Sequence, residues 1–207
     1  MKSAIAAACL AALLTASAAH AEPTQLNLDW RAFLDTPAQD TFDKVYSDVK
    51  ACTDHDACIH PSRPTIQDAD RLTVLMSQNN LLAVRLALAS YALLSDNSTA
   101  YDDVLPNYGP FIRAYPRQFL RLARDEGMPD AAVADAAGAT PDHMNDDYNK
   151  QLKELNGRRA ALRTVKDKDL VAARDLSLAN LGHMIDALTP PKAPSKTSPK
   201  HAAKTKA

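Results

Sequence analysis

Leu81-Leu82-Ala83-Val84-Arg85-Leu86-Ala87-Leu88-Ala89-Ser90-Tyr91-Ala92-Leu93-Leu94 is the densest apolar stretch behind the amino-terminal segment, and everything else in the chain must be arranged around it. It falls short of the roughly twenty apolar residues that a membrane-spanning helix takes, and it carries Arg85. Apolar on most sides, it is expected as a buried central helix.

Upstream, Asn79-Asn80 breaks or bends the chain, and Leu72, Val74, Leu75 and Met76 predict a helix capped by Thr65. Farther back, Thr36-Pro37-Ala38-Gln39 has the form of a capping box with proline at the first helical position, where its missing N–H costs nothing. Phe42, Val45, Tyr46 and Val49 follow at i, i+3, i+4 and i+7 and make one apolar stripe. This helix is expected to end near Cys52, followed by a loop rich in Asp, His and Pro up to Pro64.

Downstream, Ser98 is the expected cap of a short helix reaching Leu105. Tyr115-Pro116 starts another, closed by Gly127 where a left-handed C-terminal residue is wanted. Met128 to Gly138 reads as an alanine-rich helix. Thr140-Pro141 is expected to open a longer one, with Tyr148, Leu152 and Leu155 facing inward and Gly157 as a weak point. A last helix from about Asp169 to Leu188 keeps helical spacing through Leu170, Ala173, Leu181, Met184, Ile185 and Leu188, and Pro190-Pro191 stops it. Alternation of the strand kind is absent, and only 5 glycines serve the whole chain. The expected class is all-α: six to eight short helices forming a compact bundle or a small stacked helical-hairpin array.

The two ends read differently from the body. Met1-Lys2-Ser3, the uncharged run from Ile5 to Ala19, and small residues at Ala19 and Ala21 have the pattern of a cleavable secretory signal over residues 1–21. Residues 22–189 then form a single all-helical domain in the periplasm or outside the cell. Residues 190–207 contain Lys, Pro, Ser, Thr and Ala with nothing to bury, and are expected to be a disordered tail.

Charge separates along the same lines. Without Lys2 and the five tail lysines, 18 basic residues face 25 acidic ones, a net −7 for the body. A body of that sign is a poor general binder of nucleic acid or anionic membrane.

Candidate sites are few. Cleavage after Ala21 would remove Cys9 and leave Cys52 and Cys58, an even pair that favours a disulfide in an oxidising compartment. Closing seven residues would stabilise by about 2.4 kcal/mol on chain-entropy arithmetic. The competing reading of the same loop is a zinc or copper site built from Cys52, His55, Cys58 and His60, although the spacing matches no common zinc module. Arg117, Arg121 and Arg124 lie at i, i+4 and i+7, an anion-gripping stripe unless aspartates neutralise it. Arg158, Arg159, Arg163, Lys166 and Lys168 read as surface. His143 with Asp146 and Asp147, and His183 with Asp186, are His–carboxylate pairs at helical spacing, yet no nucleophile, metal, phosphate-loop or dinucleotide motif accompanies them.

The function expected from these features is that of an exported, non-catalytic helical protein binding another protein, in an inhibitor, immunity-type or envelope accessory role. No cofactor, nucleic acid or transmembrane segment is expected. The alternatives are a small-molecule or metal binder using the Cys52–His60 loop, and an envelope hydrolase working through the His–carboxylate pairs.

Overall fold

The structure is a computed structural model that describes residues 24–52, 66–95 and 98–189. The expected signal of residues 1–21, the stretch carrying His55, Cys58 and His60, the expected cap Thr65 and residues 190–207 lie outside the described residues.

Every regular element described is helical. The chain opens with α1 (Gln25–Asp35), which the sequence reading had not anticipated. Thr24 caps it, accepting from the Asn27 amide, and its buried face presents Trp30, Phe33 and Leu34. Three residues later α2 (Gln39–Ala51) packs back against α1. Its cap differs from the expected one. Thr36 closes α1 by donating its N–H to Ala32, so it is spent on the preceding helix. The box is closed instead by Thr41, whose hydroxyl accepts from the Ala38 N–H at 3.2 Å and donates to the Thr36 carbonyl at 2.6 Å. Phe42, Val45 and Val49 are buried, and the helix ends at Cys52 as the spacing implied.

Helix α3 (Ile66–Ser77) and α4 (Leu81–Ala89) meet at Asn79-Asn80. Asn79 takes a left-handed φ of 59°, a conformation asparagine tolerates better than most residues. Asn80 then caps α4 by accepting from the Ala83 amide at 3.1 Å. Ala83, Val84, Leu86, Ala87 and Leu88 are all buried, and α4 touches α2, α3 and the later helix α8 (Pro116–Asp125). Burying a leucine fully contributes about 1.5–3 kcal/mol, so Leu86 and Leu88 weigh heavily in the core. The expected single helix to Leu94 is in fact two. Ser90 ends α4 with its N–H on Leu86, and α5 (Tyr91–Ser95) restarts beyond it.

Helix α6 (Ser98–Val104), a 3₁₀ turn (Leu105–Tyr108) and α7 (Gly109–Ala114) lead into α8. Pro116 stands in the first turn of α8, and Gly127 with φ 81° ends it, both as the sequence implies. There the Met128 N–H bonds the Ala123 carbonyl at 2.8 Å and the Gly127 N–H bonds Arg124 at 3.0 Å, the paired pattern of a glycine-terminated helix.

Helices α9 (Asp130–Gly138), α10 (Tyr148–Leu162) and α11 (Val171–Leu188) form the C-terminal part, with α11 packed on both others. Two expectations fail here. Thr140-Pro141 opens only a 3₁₀ turn (Asp142–Met144), and α10 starts later, capped by Asp147. Tyr148, expected inside, is exposed although it shares a face with the buried Leu155 two turns on, because it is the first residue of α10, and Met184 is exposed as well. The buried apolar residues make one cluster running from Trp30 on α1 to Ile185 on α11, so the helices share one core.

Candidate functional site

The corner between α7 and α8 and the loop between α10 and α11 face each other across a cleft of about 570 Å³. One side is Ala114, Tyr115, Pro116, Arg117, Gln118 and Arg121, and the other contributes Thr164. Proline fixes the corner, since Pro116 in the first turn of α8 can neither continue α7 nor donate an N–H. Tyr115 stands half-exposed there, its ring 5.2 Å from that of the buried Phe111. One turn of helix separates Arg117 from Arg121, so both guanidinium groups project from the same side of α8.

Asp167, in the opposite loop, bonds both of them. Arg117 donates through Nη2 at 2.6 Å and Nε at 3.0 Å, and Arg121 donates through Nη2 at 2.9 Å, all to Oδ1. The Arg117 hydrogen bond holds the Asp167 carboxyl below its ordinary range, and the same contact raises Arg117. Arg124, the third member of the stripe, reaches Asp125 at 2.7 Å and also Asp169. Aspartates of the same chain therefore sit on all three arginines. Arg117 and Arg121 remain 59% and 45% exposed, and Arg117 Nη1 and Arg121 Nε and Nη1 bond no group among the described residues.

The reading of Arg158 as a surface residue is wrong. Its side chain is only 1% exposed, the largest fully buried one among the described residues. It bonds Glu154 at 3.0 Å and donates to the carbonyls of Ala137 at 3.1 Å and Ala139 at 2.6 Å, where α9 ends. Burial pushes the guanidinium below its ordinary value and Glu154 pulls it back up. A Cβ added to Gly109 would stand 1.9 Å from Arg158 Nη2, so this glycine is the slot into which the guanidinium fits. Gly157 serves likewise as a close approach, with Arg113 Cδ 3.2 Å from where its Cβ would be, and α10 passes through it unbroken. The signal available in the sequence was the i, i+4 spacing of Glu154 and Arg158, but nothing in it pointed inward. Arg159, Arg163, Lys166 and Lys168 do lie at or near the surface.

A second ion cluster, also unforeseen, joins three helices. The Glu126 side chain, 2% exposed, accepts from Lys50 at 2.8 Å, Arg85 at 2.8 Å and the Tyr46 hydroxyl at 2.9 Å. Burial alone would raise its carboxyl, but the bonds from Lys50, Arg85 and Tyr46 outweigh it and the net shift is downward. The Arg85 guanidinium also lies 4.6 Å from the Tyr46 ring centroid, which accounts for the one charge in the central apolar stretch.

The other candidates are not assembled. His143 and His183 are exposed, and neither imidazole forms a hydrogen bond or ion pair among the described residues. Asp147 is occupied as the α10 cap, taking the Lys150 N–H at 3.0 Å. Cys52 ends α2 against the core, while Cys58, His55 and His60 lie outside the described residues. Among the described residues no group of three or more His, Cys, Asp or Glu side chains is placed to hold a metal ion. An acidic recess of about 180 Å³ lies elsewhere, between Asp70, Asp102, Asp103 and Asp142. Burial there raises Asp103, helped by its acidic neighbours.

No protein-family model, curated protein or solved structure matches this chain. No helix among the described residues is long and apolar enough to cross a membrane.

Proposed function

We propose that this chain is an exported, non-catalytic helical protein that binds another protein in the periplasm or cell envelope, as an inhibitor, an immunity-type protector or an accessory factor. Export rests on the signal pattern of residues 1–21, and the Cys52–Cys58 disulfide on the even pair that cleavage would leave.

The observation that carries the binding role is a basic cleft on an acidic body. Helix α8 and residues 163–170 together hold six basic residues, Arg117, Arg121, Arg124, Arg163, Lys166 and Lys168, against Asp125, Asp167 and Asp169. The rest of the body is strongly acidic, so this region is where a partner of negative charge would be steered. An aromatic ring and guanidinium groups at a concave surface are the residue types that dominate protein–protein contacts.

The test is affinity capture from the source organism's envelope with the native protein and with the double variant Arg117→Glu/Arg121→Glu. A partner retained by the native protein and lost by the variant supports the role. Equal recovery by both removes the cleft as the binding surface, and none by either removes the role.

A further inference from the structure

We infer that Arg117 and Arg121 form a receptor for a side-chain carboxylate of an acidic peptide segment, and that Asp167 is its built-in competitor. This rests on the binding role proposed above and names the chemistry of what enters the cleft.

Asp167 is itself the guide to that chemistry. One carboxylate oxygen takes three guanidinium hydrogen bonds at 2.6 to 3.0 Å, so the pair already converges on the place of a carboxylate oxygen. Two positive charges on one aspartate leave a surplus of one, and the three unused donors are on the half-exposed side chains beside the cleft. The remaining wall is Ala114, Pro116 and the ring of Tyr115, a surface for the stem or an apolar neighbour of an acidic residue. A phosphate, strongly hydrated and with no carbon stem, would leave that wall unused. An incoming carboxylate either shares the spare donors or takes the place of Asp167. Because Asp167 holds the guanidinium groups in the free protein, the measured affinity is the intrinsic affinity reduced by the fraction of molecules in which they are released.

The experiment titrates the protein with an acetylated, amidated tetrapeptide Glu-Phe-Glu-Phe and follows amide resonances of α8, with inorganic phosphate as the rival anion. Saturable binding is expected, weakened at least about tenfold by Arg121→Gln and strengthened roughly three- to tenfold by Asp167→Asn, which removes the competitor. Circular dichroism checks that each variant is folded, and Asp167→Ala replaces Asp167→Asn should the latter not fold. Unchanged or weaker binding by the Asp167 variants would overturn the competitor. Absence of saturable binding, or displacement of the peptide by phosphate at equal concentration, would overturn the carboxylate receptor. Should the peptide fail while partner capture still depends on Arg117 and Arg121, this inference falls and the binding role stands.

Discussion

Replacing Arg158 by methionine tests the core of this fold directly. Methionine keeps most of the volume, so no large cavity forms and the loss is electrostatic. The guanidinium bonds Glu154 at 3.0 Å and the carbonyls of Ala137 and Ala139 at 3.1 and 2.6 Å, with its side chain 1% exposed. Removing one member of a buried pair costs about 3–5 kcal/mol, since the other charge and the carbonyls stay behind without partners. Glu154 keeps Arg113 at 2.7 Å, so the lower half of that range is expected. For a domain of this size each kcal/mol lowers Tm by about 2–4 °C, giving a drop of roughly 6–16 °C.

Urea unfolding at neutral pH, monitored by circular dichroism, measures it. The midpoint should fall with the slope unchanged. Arg158→Lys should land between the two, because an ammonium cannot reach Glu154 and the α9 carbonyls as one planar fork does. A methionine variant within about 0.5 kcal/mol of the native protein, the range of an ordinary surface change, would refute the reasoning.

Gly109→Ala should destabilise by a comparable amount, since its Cβ would displace the same guanidinium; a thermal melt within a degree of the native protein would contradict the slot. Glu126→Gln should cost about 1–3 kcal/mol at pH 7 by stranding Lys50 and Arg85. The Glu126 carboxyl lies below its ordinary value of 4.5 in the folded protein, so its contribution is present above that pH and is lost as pH falls through the lower folded value. The gap between the native protein and Glu126→Gln should therefore narrow in acid, and a gap that widens there would reverse the assignment. N-terminal sequencing of the native protein should begin at Glu22, and an intact Met1 on a cytosolic product would end the export proposal. Its intact mass should rise by two hydrogens on reduction, with no free thiol beforehand; two free thiols with a stoichiometric metal would favour the His55 and His60 reading instead.

The helical class and most punctuation were legible because they depend on neighbours in sequence. Asn79-Asn80, Tyr115-Pro116 and Gly127 act through local backbone conformation, and each stands where the residue type implies. Helix α1 was missed because Trp30, Phe33 and Leu34 follow close behind the signal pattern and precede the stronger stripe of α2. Periodicity also overstated Tyr148, since it shares a face with the buried Leu155 and spacing does not say how far along that face the core reaches. Arg158 could not be placed from sequence. Its burial depends on Gly109 and on the α9 carbonyls, respectively 49 residues away and about 20 residues away along the chain. The arginine stripe itself was visible, but not Asp167 lying across it, because Asp167 arrives from a loop 46 residues beyond Arg121.

Core and cleft meet at Glu154. Its carboxylate takes Arg113 of α7 at 2.7 Å and Arg158 of α10 at 3.0 Å, so one acid ties the helix before the Tyr115-Pro116 corner to the helix before Thr164. Both walls of the cleft are thus joined through the same carboxylate, buried on the Arg158 side and half-exposed on the Arg113 side. The facing loop is held differently. Val165 and Leu170 are buried, and Arg174 bonds the Val165 carbonyl at 2.7 Å, which pins the loop at its two ends. Only Lys166 to Asp169 lie outside the core between those anchors. Asp167 is therefore carried on a short span, its side chain 15% exposed beneath arginines that are 59% and 45% exposed, so water and salt reach these pairs from the arginine side. A corner fixed by Pro116 opposite an aspartate on a short span is the arrangement an internal competitor requires: the aspartate keeps the guanidinium groups aligned in the free protein until an incoming carboxylate replaces it.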